Sequence, residues 1–134
     1  PTVTVDVVCD ASALVALLLD DGPDGRWAVG QLSGTRLLAP QLVMFEVSNI
    51  VRRQEMAGVV SADQAVQAHG DLLDLSIEQW PYELLGSRVW ELRSNLSGYD
   101  ASYVAVAELA GAPLITLDRR IGRAPGLRCE VKVP

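Results

Sequence analysis

The sequence predicts an α/β fold: a three-layer α/β/α sandwich whose central sheet is mainly parallel. Three observations predict it. Short apolar runs alternate with longer stretches of helical period, and parallel strands need such helical crossovers. The first run is mostly β-branched and leads straight into an apolar helix, the βα junction of a sheet covered on both faces. The chain has 134 residues, 49% of them hydrophobic. That suffices for a single domain over residues 1–134 with a real core, and not for two.

The elements follow in order. Residues 3–9 read as a strand. A helix covers 11–19 and is stopped by Asp20, Asp21, Gly22 and Pro23. A short helix covers 24–32 and closes on Ser33 and Gly34; a short strand covers 35–39 and ends at Pro40. Over 41–57, Val43, Val47, Ile50 and Val51 recur at helical spacing, and Gly58 is the stop. Ser61-Ala62-Asp63-Gln64 has the form of a capping box and opens a helix that runs to 75. A strand at 77–80 precedes Pro81, and a helix at 82–96 puts Leu85, Val89 and Leu92 on one face. Residues 100–109 form an apolar helix, with Gly111 and Pro113 beyond it. A strand follows at 114–117, and 128–133 forms a last edge strand. No repeat, low-complexity segment or long linker interrupts the series.

Composition excludes several functions. The net charge is -6, which argues against broad nucleic-acid binding through a basic face. The basic residues are almost all Arg, with Lys132 the one Lys; Arg52 and Arg53 cluster, as do Arg119, Arg120 and Arg123. Arg suits phosphate contacts, although solvated helix ends are the plainer reading of each. The longest apolar run, residues 13–19, is far too short to span a bilayer, so no membrane association is expected. No signal peptide is visible, and a cytoplasmic location is expected, leaving open export by a route without such a signal. Cys9 and Cys129 lie in no metal-binding spacing and read as buried thiols. His69, the single histidine, reads as a helix-surface residue, which weakens any triad.

Four acids stand out. Asp10 follows the first strand and Asp118 follows the strand in LITLDRR, both at carboxyl ends, where ligands bind in parallel sheets. Asp100 starts the helix in GYDASYVAVAEL, and Glu46 lies inside an otherwise apolar helical turn, MFEVSNIV. Alone, each Asp reads equally as a helix N-cap and Glu46 as a solvent-facing residue. Together they carry small or hydroxyl neighbours: Ala11 and Ser12, Ala101 and Ser102, and Thr116. Should they converge, several carboxylates a few ångströms apart demand a counter-cation. Oxygen ligands without His or Cys point to Mg²⁺ or Mn²⁺. Such an ion turns water into a nucleophile and neutralises charge on a phosphodiester.

VVCDASALVALL, FEVSNIVRR and GYDASYVAVAELAGAPLITLDRRI, in this order and spacing, resemble the PIN-domain ribonucleases, and among them the VapC toxins of bacterial toxin–antitoxin pairs. The resemblance covers nearly the whole chain, and its most specific part is YDASYVAVAE…PLITLD. Asp10, Glu46, Asp100 and Asp118 fall on the family's acidic positions, and Ser12 and Thr116 on its accessory hydroxyl positions. The resemblance implies a Mg²⁺-dependent endoribonuclease that cuts structured RNA such as tRNA or rRNA. It also implies a homodimer silenced by a small antitoxin. Asp10, Asp100 and Asp118 would hold the metal, with Glu46 ligating directly or through water. Ser12 and Thr116 would orient these groups, and Arg119 and Arg120 are candidates for RNA contact. A PIN nuclease of RNA maturation and a non-catalytic binding module that keeps the fold are the alternatives. A haloacid-dehalogenase phosphatase needs a second Asp where Ser12 stands, and a receiver domain needs a late Lys that only Lys132 offers.

Overall fold

Apolar, β-branched residues build the centre of the molecule. Strand β1 (Asp6–Cys9) buries Val7, Val8 and Cys9, and β2 (Arg36–Pro40) buries Leu37, Leu38 and Ala39. Strands β3 (Ile77–Trp80), β4 (Leu114–Ile115) and β5 (Val131–Lys132) complete a five-stranded sheet of order β3-β2-β1-β4-β5. Every pairing is parallel, with Val7 opposite Leu37, Leu37 opposite Ile77, and Val8 opposite Leu114. This computed structural model describes residues 4–134. The expected strand start at Val3 lies outside the described residues.

Among the described residues, seven helices cover the sheet: α1 (Ala11–Leu19), α2 (Pro23–Leu32), α3 (Val43–Met56), α4 (Ala62–Asp74), α5 (Tyr82–Glu91), α6 (Gly98–Ala110) and α7 (Arg119–Gly122). α1 packs against α2, α3 and α4, while α6 packs against α5 and strands β1, β2 and β4. Right-handed crossovers explain the division. The steps from β1 through β2 to β3 keep their helices on one face, and the return to β4 carries α5 and α6 over the other. The result is the expected α/β/α sandwich. Helix α6 is buried around its whole girth from Ala101 to Ala107, as a helix of Ala and Val at the middle of a layer must be.

Local chemistry sets the boundaries. Pro23 opens α2 at a position where its missing N–H costs nothing. The capping box at Ser61 forms as the sequence indicates, with Ser61 Oγ accepting from Gln64 N at 3.1 Å and Gln64 Oε1 from Ser61 N at 2.8 Å. Gly111 closes α6 in the left-handed region at φ 64°. Gly25 has another role, because a Cβ there would stand 1.7 Å from the Asp20 carbonyl oxygen, so only glycine lets α2 cross the end of α1.

Several boundaries differ from expectation. Helix α6 begins at Gly98, not Asp100, because the Ser97 hydroxyl caps it and accepts from Asp100 N at 3.1 Å. Helix α5 ends at Glu91; the apolar spacing continues through Leu92 and Leu96, which are buried in a turn. Strand β4 is two residues long, freeing Thr116 and Leu117 for other bonds, and β5 is equally short. Helix α7 carries too few residues for its periodicity to be read in the sequence. One ion pair, Arg88 with Glu108, staples α5 to α6. Arg88 Nε donates to Glu108 Oε1 at 2.6 Å, Nη2 donates to the Gly126 carbonyl at 2.7 Å, and Arg128 N donates to Glu108 Oε2 at 2.7 Å.

Candidate active site

The strand order reverses between β1 and β4, which opens a crevice beyond their carboxyl ends. Asp10 follows β1 directly, and Thr116, Leu117 and Asp118 follow β4. Helix α3 starts just past β2. Helix α6 leads into β4, so its first turn lies at this same end. The topology therefore collects Asp10, Glu46, Asp100 and Asp118 at one edge of the sheet, although they are spread over most of the chain.

Asp10 is the most constrained of the four, with only 6% of its surface exposed. It is the N-cap of α1: Oδ1 accepts from Ala13 N at 3.0 Å and from Ser12 Oγ at 2.6 Å, and Oδ2 accepts from Thr116 Oγ1. The two hydroxyls are fixed in turn, since Ser12 Oγ accepts from Leu117 N at 3.0 Å and Thr116 Oγ1 from Asp118 N at 2.9 Å. Burial still pushes the Asp10 carboxyl above its ordinary range against these bonds, and the nearby Asp100 charge adds to the rise.

Glu46, one turn into α3, is half-buried and accepts a 2.5 Å bond from Tyr103 Oη of α6. Burial raises its carboxyl, the Tyr103 bond opposes the rise, and the charges of Asp100 and Asp10 add to it. Asp10, Glu46 and Asp100 thus form one electrostatic group. Asp118 stands apart. It caps α7 by accepting from Arg120 N at 3.0 Å, and Arg120 Nη2 lies 2.7 Å from Asp118 Oδ2 and 3.1 Å from Asp100 Oδ2. The Arg120 guanidinium holds the Asp118 carboxyl below the usual range. Among the described residues, no three acidic, histidine or cysteine side chains are drawn into a ready metal cage. The cation that joins Asp100 to Asp118 is Arg120. Arg119 bonds instead to the Pro134 carbonyl.

The donor set nonetheless fits a hard divalent ion. It is made of carboxylate and hydroxyl oxygen, two of its carboxyls are raised by burial and by neighbouring acids, a cost that a cation would relieve, and a guanidinium is already drawn to the other two. The remaining candidates for chemistry lie elsewhere. The Cys9 thiol is buried and pushed up to about 12 by burial and the Asp10 charge, which makes it inert. Cys129 is half-buried, not buried as expected, because it lies in the loop before β5. His69 is exposed on α4. No described helix is long and apolar enough to cross a membrane.

Two features escape a reading of the sequence. Tyr103 orients Glu46 across 57 residues of chain, and its signal was a phenol within the small and aliphatic run of residues 101–107. The bridge made by Arg120 has no sequence signal beyond its place two residues after Asp118.

Comparison with known proteins locates this geometry. The family profile described as PIN domain matches residues 7–127. Ribonuclease VapC9 of Mycobacterium tuberculosis is 36% identical over 127 residues, covering 95% of this chain and 97% of its own length. Ribonuclease VapC1 of the same organism is 36% identical over 129 residues, covering 96% and 97%. Among solved structures, PAE2754 from Pyrobaculum aerophilum superposes with a TM-score of 0.66 at 26% identity, covering 96% of this chain and 84% of that one. VapBC2 from Rickettsia felis, solved with a DNA fragment from its promoter, gives 0.65 at 15% identity, covering 94% and 98%, a likeness of fold.

Proposed function

The chain belongs to the PIN-domain family, and within it to the VapC ribonucleases, and from that premise we propose that it is a Mg²⁺-dependent endoribonuclease, with Mn²⁺ as substitute, acting as the toxin of a toxin–antitoxin pair on structured RNA such as tRNA or rRNA. The observation that carries this reading is the electrostatic group of Asp10, Glu46 and Asp100 beyond the switch point of the sheet, to which Arg120 links Asp118. Asp10, Asp100 and Asp118 would hold the ion, and Glu46 would join them directly or through water. When bound, a divalent ion supplies a nucleophilic water and neutralises charge building on the phosphodiester.

The protein's own side chains do the positioning. Ser12, Thr116 and the Ala13 N–H fix both oxygens of Asp10, so its carboxylate presents one orientation to the crevice. Tyr103 fixes Glu46 in the same way. Arg120 is exposed and paired with two carboxylates, which would place its guanidinium to take a substrate phosphate. Water attacks the scissile phosphorus in line and the P–O3′ bond breaks, which leaves 5′-phosphate and 3′-hydroxyl ends.

A small antitoxin is the proposed partner, as in the VapBC pair from Rickettsia felis. Its basic residues would meet an acidic chain of net charge -6. A homodimer in the cytoplasm completes the reading. The test is incubation of the purified protein with total RNA and Mg²⁺, followed by mapping of new 5′ ends. Asp10→Asn keeps the shape of the site and removes a charge, and is expected to lower cleavage by about 100-fold or more. Ends that persist undiminished in that variant would remove Asp10 from the chemistry.

A further inference from the structure

We propose that the mouth of the acid site carries a nucleobase subsite, in which Phe45 and Tyr99 stack on an unpaired base of the RNA while Arg53 takes a neighbouring phosphate. The inference rests on the nuclease reading and adds to it the source of the affinity.

A cavity of about 330 Å³ opens beside Glu46, lined by Phe45, Asn49 and Arg53 of α3 and by Tyr99 of α6. Phe45 is 76% exposed and Tyr99 66%, so neither ring stabilises the fold by burial. On both helices the exposed ring immediately precedes a site acid: Phe45 before Glu46, and Tyr99 before Asp100. A helix turns by roughly 100° per residue, so the neighbour of an inward-facing acid stands on the rim of the same opening. The two rims face one cavity, and the Tyr103–Glu46 bond holds the two helices together beneath it.

Charge decides what the rings are for. A chain of net charge -6 with four carboxylates at its site repels phosphate, and gains little affinity from the backbone of a nucleic acid. Stacking is free of that penalty and contributes about 1–3 kcal/mol per base. Asn49 offers an amide donor and acceptor to the edge of the base. The base must be unpaired, since a paired one shows neither its face nor its Watson–Crick edge. The lining is mixed: Leu42 and Ile50 add apolar surface beside the rings, while Glu46, Asn49 and Arg53 bring the charge and hydrogen-bonding groups that suit a base and its phosphate.

The probe is a single-stranded RNA dodecamer with 2-aminopurine at alternate positions, mixed with the full chain and Mg²⁺ and read by stopped-flow fluorescence. Stacking on the rings is expected to quench the probe. Phe45→Ala and Tyr99→Ala are each expected to weaken binding roughly tenfold or more. Phe45→Trp and Tyr99→Phe are expected to restore it. For the wild type, an abasic dodecamer should compete with the fluorescent one at least tenfold more weakly than an unlabelled base-bearing dodecamer does, a comparison that needs no variant. The proposal is overturned by absence of quenching, by equal binding of abasic and base-bearing RNA, or by ring removal that shifts the sedimentation coefficient, which would assign the rings to a subunit contact. A wild type that cleaves RNA without quenching the probe sinks the subsite and spares the nuclease; quenching without cleavage does the reverse.

Discussion

Asp10 and Glu46 bring their negative charge into partly dehydrated positions, and the consequence is a measurable pH dependence. Both carboxyls hold their protons to higher pH in the folded chain than in the unfolded one. Above the ordinary carboxylate range the folded state therefore carries the extra protons, and stability falls as pH rises through the raised values. In EDTA, wild type is expected to lose stability relative to Asp10→Asn between about pH 4 and the raised values, by thermal unfolding. Protons compete with a divalent ion for the same oxygens, so the rise in Tm on adding Mg²⁺ should be larger at about pH 7.5 than at about pH 5. A Tm shift independent of pH would place the ion elsewhere. Tyr103 acts through Glu46. Its bond lowers the Glu46 carboxyl, so Tyr103→Phe should move the acid limb of the pH–rate profile to higher pH, with kcat reduced more than KM changes. Of these residues the acids and hydroxyls were legible in the sequence, because Asp10, Ser12, Thr116 and Asp118 sit at junctions between an apolar strand and a helix, while Glu46 and Asp100 interrupt apolar helices. Tyr103 and the Arg120 bridge were not, because they depend on contacts between layers.

At the scale of elements, most of the chain could be read from periodicity and caps. The Ser61 capping box and Gly111 mark their helix ends as the sequence indicates. The misreadings have separate causes: apolar spacing that continues past a helix end, a cap that lies ahead of the apolar run, and a helix too short for its period to show. Leu92 and Leu96 extend the pattern of α5 into a buried turn, and the Ser97 cap moves the start of α6 ahead of Asp100. The pair of Arg88 and Glu108 was invisible because its partners lie 20 residues apart on different helices. The Glu108 side chain is only 8% exposed and the pair is bidentate, so removal of one partner leaves a charge without its counterpart. Arg88→Ala is expected to cost about 2–4 kcal/mol by urea unfolding, with the loss of four hydrogen bonds, to Glu108, Glu91 and the Gly126 carbonyl, besides the charge. A cost near zero would show the pair to be solvated in solution.

The whole molecule sets how RNA is held. An acidic chain with few cations near its crevice forms few phosphate contacts, and the salt dependence of binding should reflect that. With Arg53 and Arg120 as contacts, log K against log salt for single-stranded RNA should fall with a slope of about -1.4 or shallower. A slope several times steeper would mean a basic surface on an assembled partner. The alternation of strands and helices was enough to show the parallel sandwich. The strand order was not legible, since nothing local tells β4 to return and lie beside β1. That order has a further consequence for a ribonuclease. Asp10 is made long before Asp118, and the two come together only when β4 settles beside β1, the central strand. A nascent chain still threaded through the ribosome holds only fragments of its cutting edge.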